Sequence, residues 1–261
     1  MTEQNECKLQ VKLVSYTPNA LDIIEQAAST CYDSEPTSKY YIMKDCISNG
    51  HTSVTEYANF VFEVKGVSRA LLAQLTRHRI GTSFTVRSQR YCAENGFKYV
   101  VPPSIANNPE AFKIYEKAMT AANSAYIDLQ YLGIPNEDAR MVLPNACETV
   151  LTLQFNLRSL MHFFNERLCT RAQWEIRMMA IKMRDLILSV YPQLKPYLVP
   201  KCESNKIPFC PEKKCCGRHP KLEQLICTTQ QDETADLTIP QKSADCFSDD
   251  LVIDDIDIIV K

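Results

Sequence analysis

The sequence predicts a mixed α+β fold, a single domain with a central, mainly antiparallel sheet flanked by long helices and followed by an acidic tail. Three observations carry that prediction. The stretches LQVKLVSY, ANFVFEVKG and TVLTLQF alternate apolar and polar residues as half-buried strands do. Two longer stretches, PEAFKIYEKAMTAANSAYIDLQYLG and RAQWEIRMMAIKMRDLILSVY, repeat apolar residues at helical spacing. A chain of 261 residues with 45% hydrophobic side chains is long enough for one substantial core, placed here over residues 1–221, with a poorly ordered tail over 222–261.

Taken in order, LQVKLVSY is the first strand, and Pro18-Asn19 opens a helix through ALDIIEQAAST. SKYYIMKDCISNG is a second helix, stopped by Gly50, with His51 directly after it. ANFVFEVKG turns Phe60, Phe62 and Val64 to one side. It delivers the chain to VSRALLAQLTRHR, an amphipathic helix with Ser68 as N-cap and Arg77-His78-Arg79 closing its last turn. YVVPPS is extended. The helix ending at Gly133 carries the stripe Phe112, Tyr115, Met119, Ala122 and Tyr126, most simply core or subunit contact. PNEDARMVLP is a short helix cut off at Pro144, TVLTLQF a strand, and Asn156 the cap of LRSLMHFFNERL. Thr170-x-x-Gln173 forms a capping box that starts the last long helix, ended by Pro192.

Function is concentrated between Gln74 and Tyr91, QLTRHRIGTSFTVRSQRY. No acid lies between Glu63 and Glu94, while Lys65, Arg69, Arg77, Arg79, Arg87 and Arg90 supply six fixed positive charges. Gly81 permits a sharp change of direction, and Thr82, Ser83, Thr85, Ser88 and Gln89 set short donors between the arginines, as a phosphate or carboxylate clamp requires. Neither a P-loop nor a GxGxxG is present, which excludes the common nucleoside-triphosphate cradles.

RHR, eight residues, SxR and then Tyr resembles the signature of the flavin-dependent thymidylate synthases. Gly50-His51-Thr52 with Glu56 upstream, and Asn156-x-Arg158 with AQWEIR at 172–177 downstream, extend the resemblance over roughly residues 8–200. It implies reductive methylation of dUMP to dTMP, with FAD as cofactor, methylenetetrahydrofolate as carbon donor and NADPH as hydride source, in a homotetramer whose sites are shared between subunits. It assigns FAD to His51, Thr52, Glu56, Arg77, His78, Arg79, Asn156, Arg158 and His162. The nucleotide falls to Gln74, Arg77, Ser88, Gln89, Arg90, Arg140 and Arg167. Arg167, Ser88 and His51 are the candidate catalytic residues; Arg167 would stabilise negative charge building on the uracil ring, while no general base flanks Ser88 to make it a nucleophile. The chain departs from the family pattern in one extra residue between RHR and SxR. Where the shorter form has a glutamate it offers only Thr85, Val86 and Arg87, and it has His162, Glu166 and Arg171 where some relatives have Asn, an apolar residue and His.

The remaining features bound the reading. No apolar run approaches bilayer length, and MTEQNECKLQ lacks the layout of a signal peptide, so a cytosolic protein is expected. The net charge of −2 divides into −8 on residues 222–261 and +6 on the rest. A positive body suits anionic ligands, and a nucleic-acid-binding module using the basic stretch 65–91, with Tyr91, Phe84 and Phe97 as stacking platforms, is the alternative. Twelve cysteines without a secretory signal point to reduced thiols or metal ligands. Those in KCESNKIPFCPEKKCCGRHP lie in a segment poor in apolar residues. A structural zinc site of Cys169, Cys202, Cys210 and Cys216, with His219 as substitute, would order it.

Overall fold

In the computed structural model, which describes residues 7–231, the chain divides into two compact units, Met1–Ser159 and Leu160–Lys261. The first holds the sheet. Strands β1 (Gln10–Tyr16), β2 (Asn59–Ser68), β3 (Thr82–Val86) and β4 (Glu148–Asn156) lie in the order β1-β2-β4-β3, every neighbouring pair antiparallel. In the two central strands alternation becomes packing: Phe60, Phe62 and Val64 of β2 are buried opposite Phe155, Leu153 and Leu151 of β4. Phe84 of β3 adds an edge-to-face contact on Phe155, with ring centroids 5.9 Å apart.

β3 has no counterpart in the elements predicted above. Its alternating Thr82, Phe84 and Val86 stand opposite Phe155, Leu153 and Leu151, but five residues with hydroxyls among them read in isolation as a polar loop. A second difference precedes it. α3 (Arg69–Leu75) starts as predicted, with Ser68 Oγ accepting the Leu71 N–H at 3.1 Å, but it does not include Arg77-His78-Arg79. Thr76 closes it, its hydroxyl donating to Leu72 O at 3.0 Å. Leu71 and Leu75 form the buried face and no apolar residue continues it, so packing favours no further turn.

α1 (Ala20–Cys31) buries Ala20, Leu21, Ile24 and Ala28 and packs on α2 (Tyr41–Ser48). α2 starts three residues later than its sequence pattern. Tyr40, which enters it, is left-handed (φ 55°) and supplies no side-chain cap. Glu25 of α1 takes that role: its carboxylate accepts from Met43 N at 2.7 Å, Ile42 N at 3.4 Å, Thr37 N at 3.1 Å and Thr37 Oγ1 at 2.6 Å. Burial opposes the charge, yet these hydrogen bonds outweigh it and hold the carboxyl below its usual pKa. The arrangement anchors the segment leading to His51 and to the 3₁₀ turn Thr52–Tyr57, which also packs on α1.

After α4 (Pro103–Ala106), α5 (Pro109–Tyr131) is capped by Asn108 Oδ1, and its Tyr115, Met119 and Ala122 pack with Phe97 and Cys147, as a core stripe should. α6 (Asn136–Ala139) and a 3₁₀ turn at Arg140–Val142 lead into β4. Asn156 then caps α7 (Leu157–Arg167) through its Oδ1, which accepts the Ser159 N–H at 2.9 Å.

The second unit contains the rest of α7, α8 (Trp174–Val190) and α9 (Leu222–Gln231). The cap of α8 is Gln173 and not Thr170. Gln173 Oε1 accepts the N–H groups of Glu175 and Ile176 at 3.1 Å each, and the helix begins at Trp174. Thr170 instead hydrogen-bonds Cys216. The first ten residues of the acidic tail form α9, and LVIDDIDIIV lies outside the described residues. Among the described residues no helix is long and apolar enough to cross a membrane.

Replacing Glu25 with Gln is expected to destabilise the protein by about 1–3 kcal/mol at neutral pH. Since the folded carboxyl titrates below its unfolded value of about 4.3, this contribution is present above that value and is lost as pH falls through the folded pKa. Urea unfolding of both proteins at neutral and acidic pH should show the gap closing in acid. A gap of equal size at both contradicts the assignment.

Candidate functional site

β3 joins two groups of cations and holds them apart. At its start the chain turns through Gly81 (φ 64°), where a Cβ would sit 2.4 Å from both Asn156 Nδ2 and Ser159 Oγ. Asn156 N–H donates to Gly81 O at 2.9 Å and Ser159 Oγ to Ile80 O at 2.5 Å, so the turn is fastened to the junction of β4 and α7. That turn carries Arg77 and Arg79, both exposed, and half-buried His78, whose carbonyl accepts from Thr82 Oγ1 at 2.9 Å. Arg158, two residues past Asn156, meets Glu56 Oε1 at 2.6 Å. Glu56 lies on the 3₁₀ turn that begins at Thr52, directly after exposed His51. Asn59, at the start of β2, stands opposite Asn156. This end of the sheet therefore gathers His51, Thr52, Glu56, Arg77, His78, Arg79, Asn156 and Arg158.

At the other end of β3, Arg87 N–H donates to Val150 O at 2.9 Å and the chain turns again. Ser88 Oγ accepts the Arg90 N–H at 3.2 Å, and Gln89 Nε2 points at Cys147 Sγ, 3.5 Å away. Arg90 Nε pairs with Glu137 Oε2 at 2.6 Å while its guanidinium lies over the Tyr91 ring, 5.5 Å from the centroid. Arg140 Nε donates to the carbonyl of the same Glu137 at 3.1 Å. Ser88, Gln89, Arg90 and Arg140 thus form a second group. The five residues of β3, at about 3.4 Å each, set the two groups roughly 17 Å apart along the strand.

Three of the residues singled out by sequence fall in neither group. Gln74 is the penultimate residue of α3 and half-buried; His162 and Arg167 lie on the part of α7 that belongs to the second unit, exposed and half-buried respectively. In that unit Asn165 Oδ1 and Arg177 Nε are buried without hydrogen-bond partners. Of the stacking platforms in the nucleic-acid reading, Phe97 is buried in the cluster with Met119 and Cys147, Phe84 is half-buried against Phe155, and Tyr91 is exposed beside the Arg90 guanidinium.

Glu94 was not singled out by sequence. It is buried behind the second group, with Oε2 3.6 Å from Arg87 and Oε1 without a hydrogen-bond partner. Burial raises its pKa, and the opposing pull of Arg87 and Arg69 is smaller. Arg69 donates through NH2 to Arg87 O at 2.7 Å, while its Nε is likewise buried and unpartnered. Burial, with Glu94 as the next cause, also pushes the Cys147 thiol up to about 11. The signal was available: Glu94 is the first acid after thirty acid-free residues and so the natural counter-charge to them.

Residues 12–193 match the family model described as thymidylate synthase complementing protein. The chain is 38% identical over 241 residues to a flavin-dependent thymidylate synthase of Nitratidesulfovibrio vulgaris, covering 83% of this chain and 97% of that protein. Identity is 37% to the enzyme of the same name from Geobacter sulfurreducens, covering 84% and 98% of the two chains. The fold is similar, with a TM-score of 0.63 and 24% identity, to the crystal structure of a UMP/dUMP methylase, PolB, from Streptomyces cacaoi bound with 5-Br dUMP; the match covers 70% of this chain and 92% of that one.

Gly81→Ala tests the fastening of the first group. A left-handed φ and a Cβ inside Asn156 and Ser159 should together cost more than about 1 kcal/mol. Thermal unfolding should fall accordingly; an unchanged midpoint contradicts the geometry of this turn.

Proposed function

The chain belongs to the flavin-dependent thymidylate synthase family, and from that premise we propose that it converts dUMP to dTMP by FAD-dependent reductive methylation. Methylenetetrahydrofolate supplies the carbon and leaves as tetrahydrofolate; a reduced nicotinamide, taken as NADPH, supplies hydride, and one proton balances the reaction. The observation that carries the reading is the pair of cationic groups, each answered within the chain by one exposed carboxylate: Glu56 for Arg158 and Glu137 for Arg90. An exposed pair of this kind contributes about 0–1 kcal/mol. A phosphate, which an arginine fork holds bidentately, displaces it at little cost.

The donor set at the Gly81 end fits a flavin dinucleotide: two exposed arginines and Arg158 for a pyrophosphate, an asparagine, two histidines and a threonine for neutral edges, and Glu56 as the single acid. FAD would therefore be held by His51, Thr52, Glu56, Arg77, His78, Arg79, Asn156 and Arg158, with His162 completing the set. When bound, the flavin supplies the two-electron relay between nicotinamide and the transferred carbon. At the other end, Arg90 and Arg140, already oriented by Glu137, would hold the nucleotide phosphate with Ser88 and Gln89. Ser88 Oγ is engaged by the Arg90 N–H, which supports a binding role over attack on the ring. Arg167 would face the uracil carbonyl and stabilise charge as carbon 5 becomes nucleophilic, with Gln74 and Arg77 as further nucleotide contacts. Because β3 separates the two groups, one copy's cofactor end and another's nucleotide end would make one site, as a homotetramer with shared sites requires.

The purified chain should be yellow, with the absorbance of an oxidised flavin, and should form dTMP from dUMP only with both methylenetetrahydrofolate and a reductant present. Arg90→Ala should weaken dUMP binding roughly ten- to hundred-fold by calorimetry, the loss of a charge-assisted hydrogen bond of about 1.5–3 kcal/mol, and leave the flavin spectrum unchanged. A colourless protein that neither takes up FAD nor makes dTMP, or an Arg90→Ala protein with unchanged affinity, would overturn the corresponding assignment.

A further inference from the structure

Residues 201–221 of the second unit fold without a core of their own. Between 201 and 226 the buried side chains are those of Cys202 and Cys210, and regular structure is limited to a 3₁₀ turn at Lys201–Glu203, a single bridge between Cys210 and Lys221, and the start of α9. Backbone hydrogen bonds pinch the loop around those two cysteines: Phe209 N to Cys202 O at 3.1 Å and Cys210 N to Pro220 O at 2.8 Å. A segment of this length with two small buried side chains lacks the apolar burial to order itself.

What the loop does enclose is a cavity of about 10 Å³, room for about one water-sized body, lined by Cys169, Cys202, Cys210, Cys216 and His219 together with the cations Lys201 and Arg218. The metal-binding atoms of Cys202, Glu203 and His219 lie within 4.8 Å of one another. In a tetrahedral zinc site a sulfur and an imidazole nitrogen stand about 3.6 Å apart, so bringing Cys202 and His219 onto one ion asks for a shift on the order of 1 Å, and Cys210 and Cys216, outside that close group, must come in farther from the cavity wall.

Three further details have the form of a soft-metal site. Cys210 and Cys216 each receive a backbone N–H two residues on, from Glu212 and Arg218, and thiolate sulfur is a better acceptor for such bonds than a thiol. His219 Nε2 is 3.4 Å from Glu203 Oε1, so the carboxylate can fix the proton on that nitrogen and leave the other for an ion. Lys201 and Arg218 place positive charge on the cavity wall beside the thiols, shared with Glu212 and Glu203, to which they are paired. The adjacent pair is also resolved. Gly217 (φ 88°) turns its N–H onto Cys215 Sγ at 3.3 Å, and Cys215 Sγ donates to His219 O at 3.0 Å, so Cys215 braces the loop while Cys216 faces the cavity.

We propose that this cavity is a structural site for one zinc-type divalent cation, ligated by Cys202, Cys210, Cys216 and His219 and oriented by Glu203. Cys169 lines the wall as a neighbouring thiol and is not one of the four. The site lies wholly within the second unit and does not depend on the reaction assigned to the cation groups on β3.

The test uses the full chain, purified without a metal-binding tag, loaded with zinc, desalted and analysed for metal. Close to one zinc per chain is expected, falling below a fifth of that in Cys210→Ser, Cys216→Ser and His219→Ala and staying near one in Cys169→Ser and in Cys31→Ser of the first unit. Where a ligand variant fails to fold, cobalt substitution in the unaltered chain replaces it. Intense visible bands of tetrahedral cobalt with thiolate charge transfer are expected. Less than a tenth of an equivalent of zinc with no such cobalt spectrum overturns the site, and metal lost from Cys169→Ser but kept in His219→Ala overturns the ligand set.

Discussion

The pairing of β3 with β4 is the interaction on which the candidate site depends. It is bounded by Asn156 N–H on Gly81 O at one end and by Arg87 N–H on Val150 O at the other, and between them Thr82, Phe84 and Val86 are matched to Phe155, Leu153 and Leu151. A strand side-chain repeat of two leaves no freedom in this register, because a slip of one residue would turn Phe84 to the opposite face. The strand therefore acts as a spacer of fixed length. One group of arginines turns away before it and another after it, and like charges that would repel if clustered are kept far enough apart for solvent and salt to screen them.

Much of the fold was legible because the central strands and the long helices obey simple periods. Phe60, Phe62 and Val64 alternate cleanly, and the α5 stripe through Met119 and Tyr126 repeats at helical spacing. What was not legible came from contacts distant in sequence. Glu25 caps α2 from another helix, a role no local pattern encodes, and β3 is a strand only because β4 is there to receive it. The RHR segment reads as a helix end until the absence of a continuing apolar face is weighed against the pull of Gly81 toward Asn156.

The candidate site was legible in part. The acid-free stretch marks the cations as one concentration, and sequence order makes Arg77 and Arg90 look like neighbours, whereas the strand between them separates them. Counter-charges were harder to see. Glu137 and Glu94 reach Arg90 and Arg87 from outside the motif. In the cysteine-rich loop, the sequence offers the residue types of a metal site and selects Cys216 over its neighbour Cys215, and the structure adds the turn at Gly217 that sets its N–H on Cys215 Sγ. Both cases have one physical origin: a polar side chain's partner is set by three-dimensional proximity, which short spacing predicts only within one element.

The central claim is that one working site needs the Gly81 end of one chain and the Arg90 end of another. Its most direct test is activity after mixing: Arg79→Ala and Arg90→Ala chains, each inactive alone, are dissociated, combined in equal amounts and reassembled. With the two arginines contributed by different chains, about a quarter of the sites in random mixtures carry both intact residues, so about a quarter of unaltered dTMP formation is expected. A mixture no more active than its parents, although mass spectrometry shows that mixed assemblies have formed, would contradict the account.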